Sequence, residues 1–394
     1  MFGWELPPYN SGGLGVACYG LARGLCHQGV SISFALPRQL PYHIPFMNIL
    51  GYDLYGLHPV AINSLLKSYM TNSQYQHLTT ETDQDHLKMY GHTLYDEAMR
   101  FGSMAASWAS HVPCHLNHAH DWMTYPAGMS AKRINGKPLV AHVHATEFDR
   151  TGGHVDSRIA DLEYQGLTTA DKIITVSHYT KNIVNQYYGI PQDKITVVYN
   201  GVDPLEFSAT DVRRVFPNDH IVLYVGRLTF QKGIEYFLRS AAKVLEYHPN
   251  TVFIIVGDGD MFTRHVLESA YLGISSRVIF TGFLTGAKLH SIYQMADAFV
   301  MPSVSEPYGL VVLEALASGV PCIVSKQSGV TETVKNIFTV DFWDTDKMAH
   351  LIDTVLTHPH LSKEMVQHAR HELKALSWDN AARKTLSVYQ SLLP

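Results

Sequence analysis

Glu306 and Glu314 stand eight positions apart across a Pro-Tyr-Gly turn in SEPYGLVVLEALASGVPCIVS (305–325), a stretch otherwise as apolar as a core. A carboxylate in such surroundings is expensive unless it is hydrogen-bonded or meets a polar ligand. A ligand rich in hydroxyls suits the pair, because hydrogen bonds to an ionised acid are stronger than neutral ones. The ordinary reading is two acids complementing a helix dipole near its start. That explains Glu306, which would cap the helix start, but not Glu314, two turns further in. Arg227 and Lys232, five apart in GRLTFQKG (226–233), add two cations. Each alone reads as an exposed cation at a helix start; beside the glutamate pair they read as holders of a diphosphate. Glycine amides and helix N-termini complete such a set, since both hold phosphate oxygens. Gly12, Gly13 and Gly15, then Gly226, then Gly257-Asp258-Gly259 are the candidates. His118-Ala-His120-Asp121 and His142-Val-His144 supply further polar groups.

These residues need elements to hold them. The chain opens on a very short apolar start (Met1 to Gly3), the glycine turn, a helical pattern through Leu25 and an apolar run from Val30 to Leu36. A helix is expected from about Leu94 to Ser110, and strands at Cys114–Asn117, Leu139–Val143, Lys172–Val176 and Ile195–Tyr199. In the second half, strands at 221–226, 251–257, 277–282, 298–303 and 321–325 alternate with amphipathic segments of helix length. Short continuous apolar runs separated by helices indicate parallel strands covered on both faces. Two such sets predict an α/β fold of two doubly wound, Rossmann-like domains. We place them at 1–200 and 201–377, with the hinge near NGVDPLEF (200–207). A last helix, about Trp378 to Leu393, is open to docking on either domain, a return to the first included. Residues 39–90 are aromatic and polar without clean periodicity and read as an irregular insertion. In an open parallel sheet, ligands bind at the carboxyl ends of the strands, where the residues named above fall. A Rossmann dehydrogenase is disfavoured: VGDGD (256–260) has only the first two glycines of the dinucleotide fingerprint.

At 394 residues, with 46% hydrophobic and 16% charged residues, the chain suits two folded domains and argues against disorder. A net charge of −5 gives no reason to expect nucleic acid or anionic lipid as partner. Four scattered cysteines read as reduced thiols in a cytoplasmic protein. No apolar stretch reaches membrane-spanning length, and the start lacks a signal peptide's basic flank; peripheral membrane contact stays open. The spacing of His115, His118 and His120 suits a metal, yet structural histidines at a strand end are the simpler reading. A nucleophile pair using Cys114 is disfavoured, because nothing marks a lowered thiol pKa.

GRLTFQKG, VGDGDM (256–261) and SEPYGLVVLEALASGVPCIVS resemble the C-terminal domain of the retaining GT-B glycosyltransferases of family 4, group 1. FGWELPPYNSGGLG (2–15), HAHDWMTYPAG (118–128) and VHATEFDRTGG (143–153) are similar to the N-terminal domain of the branch containing glycogen and starch synthases. The resemblance implies two domains facing each other across a cleft, and a nucleoside-diphosphate sugar (UDP- or ADP-glucose) as co-substrate, with no metal. It implies that Arg227 and Lys232 bind the diphosphate and stabilise the leaving group, and that Gly226 and Asp258 line the donor site. Glu306 would lie against the donor sugar with the amides of Tyr308, Gly309 and Leu310, and Glu314 would accept the ribose hydroxyls. The loop Gly12, Gly13 and Gly15 would close on the diphosphate, His144 would contact the sugar near its 6-hydroxyl, and Asp121 would lie on the acceptor side. Synthases using ADP-glucose carry a lysine just before the paired glycines and lack the second glutamate. This chain has Tyr9-Asn10-Ser11 and Glu314 there, which leaves the base open. The first strand is short for its fold, so upstream residues are expected to be missing. A glycan acceptor is expected. The alternatives are a lipid-linked or cell-surface oligosaccharide, met by 42–57, and a sugar-nucleotide-binding protein without turnover. An epimerase or phosphorylase on the same scaffold is weaker.

Overall fold

The computed structural model describes residues 1–9, 12–37, 43–50, 93–203 and 215–393. Most of the 39–90 segment, and with it half of the acceptor surface expected at 42–57, lies outside the described residues. The chain forms two compact units. Unit 1 comprises Met1–Phe148, His154–Gly201 and Trp378–Pro394, and unit 2 comprises Asp149–Gly153 and Val202–Ser377.

Unit 1 is built on parallel strands β1 (Ser33–Ala35), β2 (Asn48–Leu50), β3 (Asn117–His120), β4 (Leu139–Val143), β5 (Lys172–Thr175) and β6 (Ile195–Val197). They pair in the orders β1-β2 and β3-β4-β5-β6. Phe2 joins the two sets through parallel bridges to Ala35 and Ala119, so Met1–Gly3 acts as a strand between β1 and β3. Helices α1 (Gly13–His27), α2 (Leu94–His111), α3 (Tyr125–Asn135), α5 (Ser157–Thr169) and α6 (His178–Tyr188) connect them, and α4 (Glu147–Thr151) is divided, its residues from Asp149 on belonging to unit 2. Thr93 and Asp96 cap α2 reciprocally, each side chain taking the other's backbone N–H, which fixes where that helix begins. Ala119, Ala141 and Val143 turn one sheet face towards Phe101, Trp108 and Tyr125 in the core.

Unit 2 holds one six-stranded parallel sheet, in the order β12-β11-β10-β7-β8-β9. Its strands are β7 (His220–Val225), β8 (Thr251–Val256), β9 (Val278–Gly282), β10 (Ala298–Met301), β11 (Cys322–Ser325) and β12 (Phe338–Val340). Between and after them run α7 (Ile234–Tyr247), α8 (Phe262–Tyr271), α9 (Gly286–Met295), α10 (Leu310–Ser318), α11 (Thr345–Thr357) and α12 (Pro359–Leu373). The sheet order reverses between β7 and β10. At such a switch point the two flanking connections leave in opposite directions and open a crevice beyond the strand ends.

The last helix, α13 (Trp378–Gln390), belongs to unit 1 and packs on α1. Gly20 and Gly24 make room for it: a Cβ at Gly20 would lie 2.3 Å from the Trp378 ring, and one at Gly24 would lie 2.6 Å from the Trp378 carbonyl oxygen.

Three expectations need correction. The strand expected at Cys114–Asn117 begins at Asn117 and runs to His120, because His118 and His120 point into a buried face and serve as sheet interior. The expected glycine turn is shorter, since α1 already starts at Gly13 and takes Gly15 into its first turn. Glu306 does not cap a helix: Gly309 is the N-cap of α10, and no side chain bonds there.

Candidate functional site

In unit 2 the switch point brings the ends of β7 and β10 together, and most of the singled-out residues follow those two strands. After β7 comes a short turn, Phe230–Lys232, that ends on Gly233 at φ 65°. A Cβ at Gly233 would lie 2.1 Å from the Pro302 carbonyl oxygen, so only glycine lets this turn rest on the segment leaving β10. The Val304 amide donates to the Gln231 carbonyl at 2.9 Å and locks the contact.

Lys232 is thereby aimed at Glu306. Its Nζ donates to Glu306 Oε2 at 2.6 Å, and Ser303 Oγ donates to the same oxygen at 3.1 Å. Glu306 is 7% exposed. Its backbone is pinned as well: its amide donates to the Gln327 carbonyl, and its carbonyl accepts from the Gly329 amide. Arg227 Nη2 reaches Gln231 Oε1 at 3.5 Å, and the Arg227 carbonyl accepts from Tyr224 Oη at 3.0 Å. Burial, and then nearby Glu306, hold the Tyr224 phenol well above its usual range, so it stays a neutral donor.

Gly226 and Asp258 follow the ends of β7 and β8, at the same edge of the sheet. The Leu228 amide donates to the Asp258 carbonyl at 3.0 Å, and the Asp258 carboxylate accepts from the Gly259 amide at 2.8 Å. Gly257, at φ 143°, approaches so closely that a Cβ would sit 1.9 Å from the Gly226 carbonyl oxygen. On the other side of the switch point, Tyr308 is buried and its carbonyl accepts from the Val330 amide. Gly309 takes φ 106° and opens α10; the amides of Gly309 and Leu310 have no hydrogen-bond partner among the described residues. Such amides form a positive, donor-rich end suited to an anion or a hydroxyl oxygen.

Glu314 lies one turn into α10 and accepts from Tyr293 Oη at 2.9 Å. Tyr293 is fully buried on α9, so one oxygen of this carboxylate has a structural partner that sequence spacing gives no hint of. Ser305 Oγ donates to Asp149 Oδ1 at 2.6 Å, a second unforeseen bond; Asp149 lies in VHATEFDRTGG, yet belongs to unit 2.

Unit 1 holds the remaining candidates. Gly12 is the N-cap of α1, and Gly15, in the first turn, donates its amide to Glu5 Oε1 at 3.0 Å. Glu5 is a buried acid that the sequence reading passes over, and it satisfies one of the orphan amides of that helix. Asp121 adopts φ 61° and ψ 170°, a region nearly reserved for glycine. Its Oδ1 accepts from the His144 amide at 2.6 Å and the Ala145 amide at 3.3 Å, so it anchors the turn that carries His144. His144 Nε2 lies 3.0 Å from His120 Nδ1, and burial pushes the His144 imidazole down to about 3. His118, His120 and His142 lie well below the usual range for the same reason, reinforced by their imidazole neighbours.

The histidines that come together are therefore not the expected trio. His118, His120 and His142 gather from two neighbouring strands, and His115 is absent from the group. Cross-strand register, with His120 opposite His142, makes the cluster. Burial raises the Cys114 thiol, the opposite of what a nucleophile needs.

Residues 82–205 match the family described as Glycosyltransferase Family 4, and residues 209–372 match Glycosyl transferases group 1. An uncharacterized glycosyltransferase of Methanocaldococcus jannaschii is 34% identical over 99% of this chain and 97% of its own. Glycogen synthase of Mycobacterium tuberculosis is 28% identical over 76% of this chain and 73% of its own. Among solved structures, sucrose-phosphate synthase of Thermosynechococcus elongatus superposes with a TM-score of 0.79, at 19% identity, over 99% of this chain and 98% of that one. Anabaena HepE in complex with UDP-glucose gives 0.73, at 16% identity, over 99% of both chains. These two structures share the fold of this chain, GT-B.

Proposed function

The chain belongs to the group 1 glycosyltransferases, and from that premise we propose that it moves a hexose, glucose, from a nucleoside diphosphate to a glycan hydroxyl with retention of configuration. The observation that carries this reading is the Lys232–Glu306 pair, 2.6 Å apart beneath the open amides of Gly309 and Leu310. A cation, an acid and free amides at one switch point match a ligand that brings phosphates and hydroxyls together. HepE, whose structure contains UDP-glucose, and glycogen synthase are similar to this chain, which supports glucose as the sugar and a glycan as the acceptor.

In the proposed reaction the bond between the anomeric carbon and the phosphate oxygen breaks. The acceptor oxygen bonds the same carbon on the same face, and its proton passes to the departing phosphate. Arg227 and Lys232 offset the charge that grows on that phosphate, which makes electrostatic stabilisation the main contribution. We assign this task to side chains and to no metal. Gly226 and Asp258 line the donor site. Glu306 and the amides of Tyr308, Gly309 and Leu310 hold the sugar, and Glu314, its carboxylate steadied by Tyr293, accepts the ribose hydroxyls. The Gly12, Gly13 and Gly15 turn is assigned to the diphosphate, with the Gly15 amide held by Glu5 so that it shapes the turn; His144 is assigned to the sugar, and Asp121 to the acceptor side, where it acts by fixing His144. Since the cysteines are free, we place the protein in the reducing cytoplasm. No described helix is long and apolar enough to cross a membrane.

The test is a thermal-shift panel of UDP-, ADP- and GDP-sugars, because a ligand that binds only the native state raises its stability. The preferred donor is then assayed with malto-oligosaccharides and with lipid-linked acceptors, and the anomeric configuration of the product is read by NMR. An α-linked glycan product is expected. Transfer to lipid alone would replace the acceptor assignment, and a β-linked product would overturn retention.

A further inference from the structure

We infer that His118, His120 and His142 form a structural site for a transition-metal ion of the zinc class, buried in unit 1. The three side chains project from β3 and β4, and they are 1%, 0% and 2% exposed. Interior positions of parallel strands are normally apolar, so three imidazoles on one face need a reason.

Their hydrogen bonding supplies it. His118 Nδ1 is held by Tyr389 Oη at 2.6 Å, and His120 Nδ1 by His144 Nε2 at 3.0 Å. The Nε2 atoms of both rings are buried without a partner, and so are both nitrogens of His142. Buried polar atoms are nearly always partnered. One nitrogen tethered and the other bare is the arrangement of a metal-ligating histidine, whose second nitrogen is oriented by an outer partner. It fixes the tautomers: His118 donates from Nδ1 to Tyr389, and His120 donates from Nδ1 to His144.

One ligand atom from each of the three residues lies within 4.8 Å of the other two. A tetrahedral ion with bonds of about 2.0–2.1 Å holds its nitrogens about 3.4 Å apart, so the trio must draw in. His118 and His142 stack at 2° with centroids 5.3 Å apart, and parallel rings do not aim their lone pairs at one point. His142 is the ring that turns, because it has no hydrogen bond to lose. Three neutral imidazoles suit Zn²⁺, Co²⁺, Ni²⁺ or Cu²⁺ and not a hard cation such as Mg²⁺. Cys18 forms a second close group with His120 and His144, so the thiol lies beside the ring that both groups share. The ion has no part in transfer; it ties β3 to β4.

The experiment uses the full chain without a polyhistidine tag, expressed in medium supplemented with cobalt or zinc and desalted through a chelator. Metal content and the visible cobalt d–d spectrum are measured, together with thermal unfolding before and after metal depletion. One equivalent per chain, an intense tetrahedral band and a higher midpoint for the loaded protein are expected. His118→Gln and His142→Gln should each lose the ion, and His115→Gln should keep it. Wild-type protein without bound metal overturns the proposal. Undiminished metal in both cluster variants does too, since it would sit on surface histidines. If a variant fails to fold by circular dichroism, the wild-type cobalt spectrum decides: a tetrahedral nitrogen-ligand band supports the site, and its absence refutes it.

Discussion

Lys232 and Glu306 neutralise each other where their side chains are only 17% and 9% exposed. A buried ion pair adds little net stability, because desolvation offsets most of the attraction. The pair makes more sense as two halves of a ligand grip, each keeping the other satisfied until phosphate and hydroxyl arrive. Lys232→Ala should lower kcat about 10²–10³-fold, the usual effect of losing one preorganised charge or donor. It should also destabilise the fold, because Glu306 would keep only Ser303; steady-state kinetics and thermal unfolding on one preparation separate the two effects. Asp121 gives a second test. Its backbone lies where strain costs about 1–3 kcal/mol, and its carboxylate holds the His144 and Ala145 amides. Asp121→Gly and Asp121→Ala both lose the anchor, so transfer should fall in both, by about 10²-fold if His144 shifts by an ångström. Only glycine relieves the strain, so denaturant unfolding should find Asp121→Gly the more stable of the two by about 1 kcal/mol or more. Equal stability would remove the strain from the account.

Elements hold these residues by close approach of backbones. Gly24→Ala should gain about 1 kcal/mol of helix propensity but push α13 off α1, since the new Cβ would lie 2.6 Å from a Trp378 oxygen. Overpacking of this kind costs about 1–3 kcal/mol, so a net loss is expected, read as a lower denaturation midpoint. Gly257→Ala should cost more, because it combines a φ of 143° with a 1.9 Å clash on Gly226, and it should displace the Arg227 loop. Most strands were legible as apolar runs to within one or two residues, and with them the two doubly wound sheets. β3 was legible three residues too early, because histidines read as loop while here they fill a sheet face. The start of α1 was hidden because Gly13 and Gly15 signal a turn in sequence and are helical in fact. Arg227, Lys232 and Glu306 announced themselves by type and spacing. Glu5, Tyr293 and Asp149 did not, since each acts through a partner 10, 21 and 156 positions away, and no local pattern carries that information.

The whole molecule is a glycosyltransferase with the GT-B fold, and its substrates in our proposal are a sugar nucleotide and a glycan. The link between these levels is the switch point of the unit 2 sheet, where chain topology alone brings the sequels of β7 and β10 side by side. A saturating donor, at about 100 times its Kd, should stabilise the protein by about 2.7 kcal/mol. Isothermal titration of the wild-type chain and Lys232→Ala with UDP-glucose and ADP-glucose tests the donor grip most directly. The account predicts one-to-one binding of one donor to the wild type and at least tenfold weaker binding to the variant. No heat from either donor with the wild type, or equal affinity in both proteins, would contradict it.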